Sequence, residues 1–148
     1  MVKNNIKKQL SEFNLLYKRL DDAYRGATGH YGLSECAFWI LYTLRQADQP
    51  MTQTQICAMA LYPRQTVNSA LKKLERDGYL RLEHTNNRKS KEISFTPKGD
   101  ALCRGSADRM IAAECRAFGG MTDKERKDFL RLYEKLIFHI EGELKALR

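Results

Sequence analysis

The chain has 148 residues, of which 43% are hydrophobic and 30% charged. That is the length and balance of one globular domain with a core of its own, and it excludes wholesale disorder. A formal net charge of +8 favours a polyanionic partner, and no apolar run reaches the roughly 18–20 residues that would span a bilayer.

The N-terminal stretch MVKNNIKKQLSEFNLLYKRL has neither an apolar signal core nor a small-residue cleavage site, so the chain reads as cytoplasmic, with no membrane partner. Ile6, Leu10, Phe13, Tyr17, Leu20 and Tyr24 recur at alternating steps of four and three. Such spacing lines one side of a helix with a coiled-coil type of seam, over about residues 3–25. Gly26, Gly29 and Gly32 are expected to break it. Ser34 then stands as an N-cap before ECAFWILYTLRQ, which is apolar on nearly every side and therefore reads as a buried helix.

After Pro50, Thr52 and Gln55 form a capping box for a short helix over about 53–60. A second helix starts at Pro63 and stops at Gly78, with Val67, Ala70, Leu71 and Leu74 at i, i+3, i+4 and i+7. About three residues separate the two, which is helix-turn-helix spacing. The period then changes to two: Leu80 and Leu82 alternate with Arg81 and Glu83, and Ile93 and Phe95 with Ser94 and Thr96. These are two short antiparallel strands around a polar tip at about 84–91. Thr96 and Pro97 cap and open another helix, expected to run unbroken to about Phe118. Gly119 and Gly120 end it, and a second capping box at Thr122 and Glu125 opens the last helix. Phe129, Leu132, Tyr133, Leu136, Ile140, Leu144 and Leu147 form its seam.

Helix, helix, short turn, helix and two-stranded wing make a winged helix-turn-helix. Burying Val67, Ala70, Leu71 and Leu74 is expected to leave Arg64, Gln65, Thr66, Asn68, Ser69 and Lys72 facing outward. An α-helix fits the major groove of DNA and meets base edges with its N-terminal residues. Arg64 has the fork that pairs with guanine, while Gln65 and Asn68 carry the amide that matches adenine. Lys72 and Lys73 lie where phosphates would run, and Gln53 and Thr54 start the preceding helix, where N–H groups and the dipole favour a phosphate. The tip adds Asn87, Arg88, Lys89 and Lys91. Between Tyr62 and Lys98 stand nine Lys/Arg against four Asp/Glu, and in the rest of the chain seventeen against fourteen, so the basic excess sits in this segment. The plain alternative is a merely soluble amphipathic helix, but the first turns of its outer face lack the Glu–Lys pairs such a surface would carry.

The stretch MTQTQICAMALYPRQTVNSALKKLERDGYLRLEHTNNRKSKEISFTPKG resembles the MarR (multiple antibiotic resistance regulator) family of bacterial transcription factors. The T-V-x-x-x-L-x-x-L-E-x-x-G-Y-L core and the T-P-K-G after the wing carry the resemblance, and the order of flanking helices agrees. It implies a mainly α fold with a small two- or three-stranded antiparallel wing. A winged helix-turn-helix lobe at about 34–96 would lie between dimerisation helices at about 3–25 and 97–148. It also implies a homodimer on double-stranded DNA with an inverted-repeat operator, and a ligand-responsive repressor. In similar proteins the wing carries Asp-x-Arg with the arginine in the minor groove; here Arg88 matches, but Asn86 stands where the aspartate is usual.

Small aromatic or phenolic effectors bind such proteins near the junction of dimer helices and DNA-binding lobe. His30, Tyr31, Phe38, Trp39 and Tyr42 are the residues here that could line that site, although Trp39 and its neighbours equally fit an ordinary core. Some relatives sense oxidants through a cysteine. Cys36 at a helix N-terminus and Cys115 beside Arg116 are the candidates, since both settings lower a thiol pKa. A non-DNA-binding adaptor on the same scaffold is the remaining alternative. The four cysteines and three histidines show no metal-ligand spacing, and no phosphate loop or hydrolase motif indicates an enzyme or a cofactor.

Overall fold

A computed structural model describes residues 2–84 and 89–147. Ten regular elements follow one another: α1 (Val2–Thr28), α2 (Glu35–Gln46), β1 (Met51–Thr52), α3 (Gln53–Met59), α4 (Arg64–Arg76), β2 (Leu80–Glu83), β3 (Glu92–Phe95), α5 (Pro97–Gly105), α6 (Ala107–Gly119) and α7 (Asp123–Lys145). The architecture is mainly helical with one small antiparallel sheet, as expected. Two compact units divide the chain, one ending at Asp108 and the other starting at Arg109.

The helix starts follow from local chemistry. Ser34 Oγ accepts from the N–H of Ala37 and caps α2, and both expected capping boxes are formed, at Thr52 with Gln55 and at Thr122 with Glu125. Each satisfies two backbone donors that a helix start leaves unpaired. α1 runs through Gly26, not breaking until Thr28, and a short 3-10 turn at Gly29–Tyr31 closes on Gly32 at φ +65°.

The sheet order is β1-β3-β2. Leu80 faces Phe95 and Leu82 faces Ile93 across one pair, and Met51 faces Ile93 across the other. The third strand β1 is only two residues long, too short to leave a period-two signature in the sequence. The core of the first unit gathers Ile40, Leu41 and Leu44 of α2, Ile56 of α3, Val67, Leu71 and Leu74 of α4, and Leu80, Leu82 and Ile93 of the sheet, all buried. Its apolar residues thus come from the one stripe of each helix and the one face of each strand that the periodicities indicate.

One expectation is corrected. The helix expected from Pro97 to about Phe118 is two helices, α5 and α6, parted at Ser106 with φ −131° and ψ −88°. Ser106 is buried, and its hydroxyl donates to the carbonyl of Leu102 at 2.6 Å. A serine bonding back onto the preceding turn competes with the helical ladder, and Gly105 beside it weakens that turn further.

The residues T-P-K-G act as a clasp between α5 and the end of α4. Thr96 Oγ1 accepts from the N–H of Gly99 and donates to the carbonyl of Gly78, which takes the left-handed conformation at φ +81°. Lys98 Nζ donates to the carbonyl of Asp77 at 2.7 Å and lies 4.6 Å from the centre of the Tyr79 ring. A Cβ on Gly99 would fall 1.9 Å from the carbonyl oxygen of Tyr79, so only glycine lets the chains approach this closely. On the neighbouring side Arg45 of α2 binds both carboxylate oxygens of Asp108, at 2.7 and 2.5 Å, and reaches Asp100 at 2.7 Å. Its guanidinium lies 5.4 Å from the centre of the Phe95 ring.

Candidate nucleic-acid interface

α4 is the centre of the site. Pro63 precedes it, and Val67, Ala70, Leu71 and Leu74 are buried against α2 and the sheet. Arg64, Gln65, Thr66, Ser69, Lys72 and Lys73 are all exposed. The exposed face is cationic and polar in its first two turns. Near its end Lys73 is paired with Asp77 at 2.6 Å, and this contact holds the aspartate below its ordinary pKa. Lys73 therefore enters any phosphate contact with a partner already in place, whereas none of the ion pairs found among the described residues includes Arg64 or Lys72.

Asn68 differs from its expected role. It is half-buried, and its Oδ1 accepts from Gln53 Nε2 of α3 at 2.9 Å and from the thiol of Cys57 at 3.3 Å. With that oxygen engaged, the side chain pins α3 to α4 through its Oδ1.

The start of α3 is likewise occupied. The N–H of Thr54 donates to Ser90 Oγ at 3.1 Å, and its hydroxyl donates to the same oxygen at 2.8 Å. The N–H of Gln53 donates to the carbonyl of Lys91 at 2.8 Å. The root of the wing is thus bonded to the first turn of the helix-turn-helix, and the expected free N–H groups for a phosphate are taken. Ser90 was not foreseen, since a contact between residues 36 apart leaves no local pattern. Lys89 is exposed and Lys91 half-buried. Asn87 and Arg88 of the expected wing contacts lie outside the described residues, as does Asn86.

A second feature lies on the other side of the lobe. A cavity of about 510 Å³ is walled by α1, α2, α3 and the link to α4, with Tyr24, Trp39, Tyr42 and Tyr62 as its aromatic residues. It has the size of a small-molecule site. Of the five expected effector contacts, Trp39 and Tyr42 line it. Phe38 does not: it is fully buried, with the Tyr31 ring stacked on it at 5.4 Å, so both belong to packing. His30 is exposed and away from the cavity wall. Tyr24, Glu35 and Tyr62 were missed, because they reach the cavity from three different elements.

The two candidate thiols differ from each other. Cys36 is buried, and burial, with Cys57 nearby, raises its pKa, the opposite of the depression expected at a helix N-terminus. Cys115 is exposed. Burial likewise pushes Cys103 up to about 11. Among the described residues no group of three His, Cys, Asp or Glu is placed to hold a metal, and no helix is long and apolar enough to cross a membrane.

Comparison with known proteins points the same way. Residues 31–89, from the 3-10 turn to the wing, match the MarR family model. No curated protein matches the chain. Among solved structures, a MarR family regulator of Neisseria meningitidis, NMB1585, superposes with a TM-score of 0.79 at 20% identity, over 95% of this chain and 99% of that one. A MarR family transcriptional regulator of Silicibacter pomeroyi does so at 0.64 and 26% identity, over 86% of each chain. Staphylococcus aureus MepR in its DNA-binding conformation gives 0.74 at 15% identity, over 89% of this chain and 98% of that one.

Proposed function

We propose that this chain, whose residues 31–89 match the MarR family model and whose fold is that of MarR family regulators, is itself a sequence-specific, homodimeric, ligand-responsive repressor of that family. The observation that carries the reading is α4: a helix buried along one stripe that exposes Arg64, Gln65, Thr66, Ser69, Lys72 and Lys73 along the other. Arg64 and Gln65, at its start, meet base edges, while Lys72 and Lys89 hold phosphates. Arg88 enters the minor groove, as the arginine of similar wings does. Gln53 and Asn68 set the angle between α3 and α4 rather than reading bases themselves.

The dimer is supported by the two terminal helices. α1 exposes Ile6, Leu10, Leu16, Tyr17 and Leu20. α7 has no buried residue over its 23 positions and exposes Phe129, Leu132, Phe138 and Leu144 among others. Apolar area on this scale calls for a partner surface, and a second copy supplies one on each helix. Two-fold symmetry then places two reading helices about 34–36 Å apart, one turn of DNA, on an inverted repeat. A ligand in the cavity biases α3, and through the Gln53–Asn68 bond α4, between arrangements that do and do not fit two successive grooves.

Selection of bound DNA from random oligonucleotides tests the proposal. An inverted repeat should emerge, with log K falling against log salt by about 0.9 per neutralised phosphate. Arg64→Ala should change the selected bases and cost about 1–3 kcal/mol, whereas Lys89→Ala should weaken all sequences alike. If both variants bind as the parent does, the assigned face is wrong.

A further inference from the structure

The cavity between α1 and the helix-turn-helix has a charge balance opposite to that of the whole protein. Its charged lining is Asp21, Arg25 and Glu35. Arg25 is held by Asp21 at 2.9 Å, so those two charges satisfy one another. Glu35, in the first turn of α2, is exposed, and among the described residues no Lys, Arg or His lies within ion-pair distance of it. The lining therefore carries one carboxylate more than it has cations, in a chain of net charge +8.

Aromatic rings line the same cavity. Trp39 meets Tyr24 edge to face at 5.5 Å and Tyr42 at 5.0 Å. Tyr62 completes the set from the α3–α4 link. The faces of such rings carry partial negative charge and attract cations, tryptophan most strongly. Burial first, and then Glu35, hold the phenol of Tyr62 above its ordinary pKa, which places the Glu35 carboxylate near that ring. Met59 and Leu61, both exposed, give the rim a flexible apolar edge.

We propose that this cavity takes an organic cation with a bulky apolar or aromatic body, its positive centre set against Glu35 and the Trp39 face. An aromatic anion would meet Glu35, the Asp21 carboxylate and four electron-rich rings, with Arg25, already shared with Asp21 through its Nε, as the one cation of the lining. The inference rests on the ligand-responsive reading above and gives it a ligand class. It also separates effector from operator, since the charged lining of the cavity is two carboxylates against one guanidinium, while α4 from Arg64 to Lys72 exposes those two cations and no carboxylate. Bound cation acts on DNA affinity only as far as it prefers one arrangement of α3 and α4, and DNA alters cation affinity by the same factor.

Three aromatic probes of different charge test this: tetraphenylphosphonium, the neutral triphenylphosphine oxide of comparable bulk, and the smaller anion benzoate. Trp39 is the sole tryptophan, so quenching of its fluorescence in the full-length protein reports occupancy of the cavity. Tetraphenylphosphonium should bind about tenfold more tightly than the neutral oxide, and benzoate more weakly than either. Glu35→Gln should remove about that tenfold advantage while leaving the oxide unchanged, and Glu35→Lys should invert the preference towards benzoate. Benzoate binding as tightly as the phosphonium, equal effects of Glu35→Gln on cation and oxide, or no quenching by any probe would each overturn the assignment. Operator binding measured alongside separates the two readings. Cation binding with unchanged DNA affinity retains the cavity's ligand class and removes the regulatory role. DNA release by benzoate in place of the cation retains the regulatory role and removes the class.

Discussion

Single residues in this chain act mostly through close approach and paired charge. Gly99→Ala places a methyl against the backbone of Tyr79 and should destabilise the protein by about 3 kcal/mol, read from urea unfolding. The cap and proline of T-P-K-G are plain in the sequence, but the need for glycine is set by the carbonyl of Tyr79, whose close approach no local pattern reveals. Arg45 holds the Asp108 carboxyl below its ordinary pKa, chiefly by hydrogen bonding. The stabilisation is therefore complete above the unfolded value near pH 4 and is lost as pH falls through the lowered one. Asp108→Asn should cost about 1–2 kcal/mol at pH 7, given partial exposure of the pair. Its stability should converge with the parent's in acid titrations below pH 3; a constant gap would remove the ion pair as the cause. A thiol reagent at neutral pH should modify exposed Cys115 rapidly but leave buried Cys36 and Cys103 unmodified until the protein unfolds.

Helix identities and starts were legible because caps and stripes are local: Ser34, Thr52 and Thr122 each bond within three residues. What periodicity cannot show is how one element holds another. The bonds from Gln53 to Asn68 and from Thr54 to Ser90 join α3, α4 and the root of the wing, and they engage side chains that the sequence pattern alone leaves free. Asn68→Ala should lower stability by about 1–2 kcal/mol, because the half-buried amide of Gln53 loses its acceptor. The base preference in oligonucleotide selection should stay as in the parent. A changed base at a single position would return Asn68 to the reading set. The break at Ser106 was hidden for a related reason. Serine is acceptable in a helix, and only its burial and its bond to Leu102 turn it into a stop.

For the molecule as a whole, the lobe was readable from sequence because its buried stripes close on one another within a hundred residues, whereas α7 has no buried residue along its length. Light scattering should give twice the 17.2 kDa of one chain. Leu144→Glu, on the exposed apolar side of α7, should shift the protein towards monomer and weaken operator binding; an unchanged dimer would place the interface elsewhere. The sheet order β1-β3-β2 has a further consequence for how the chain assembles. β3 joins its sequence neighbour β2 by a short hairpin, but β1 only by closing some forty residues of intervening helix-turn-helix. Long closures are entropically late events. During synthesis α3 and α4 are therefore made before β3 and the wing root that bond the first turn of α3. Met51→Ala should accordingly speed unfolding several-fold while leaving the refolding rate nearly unchanged.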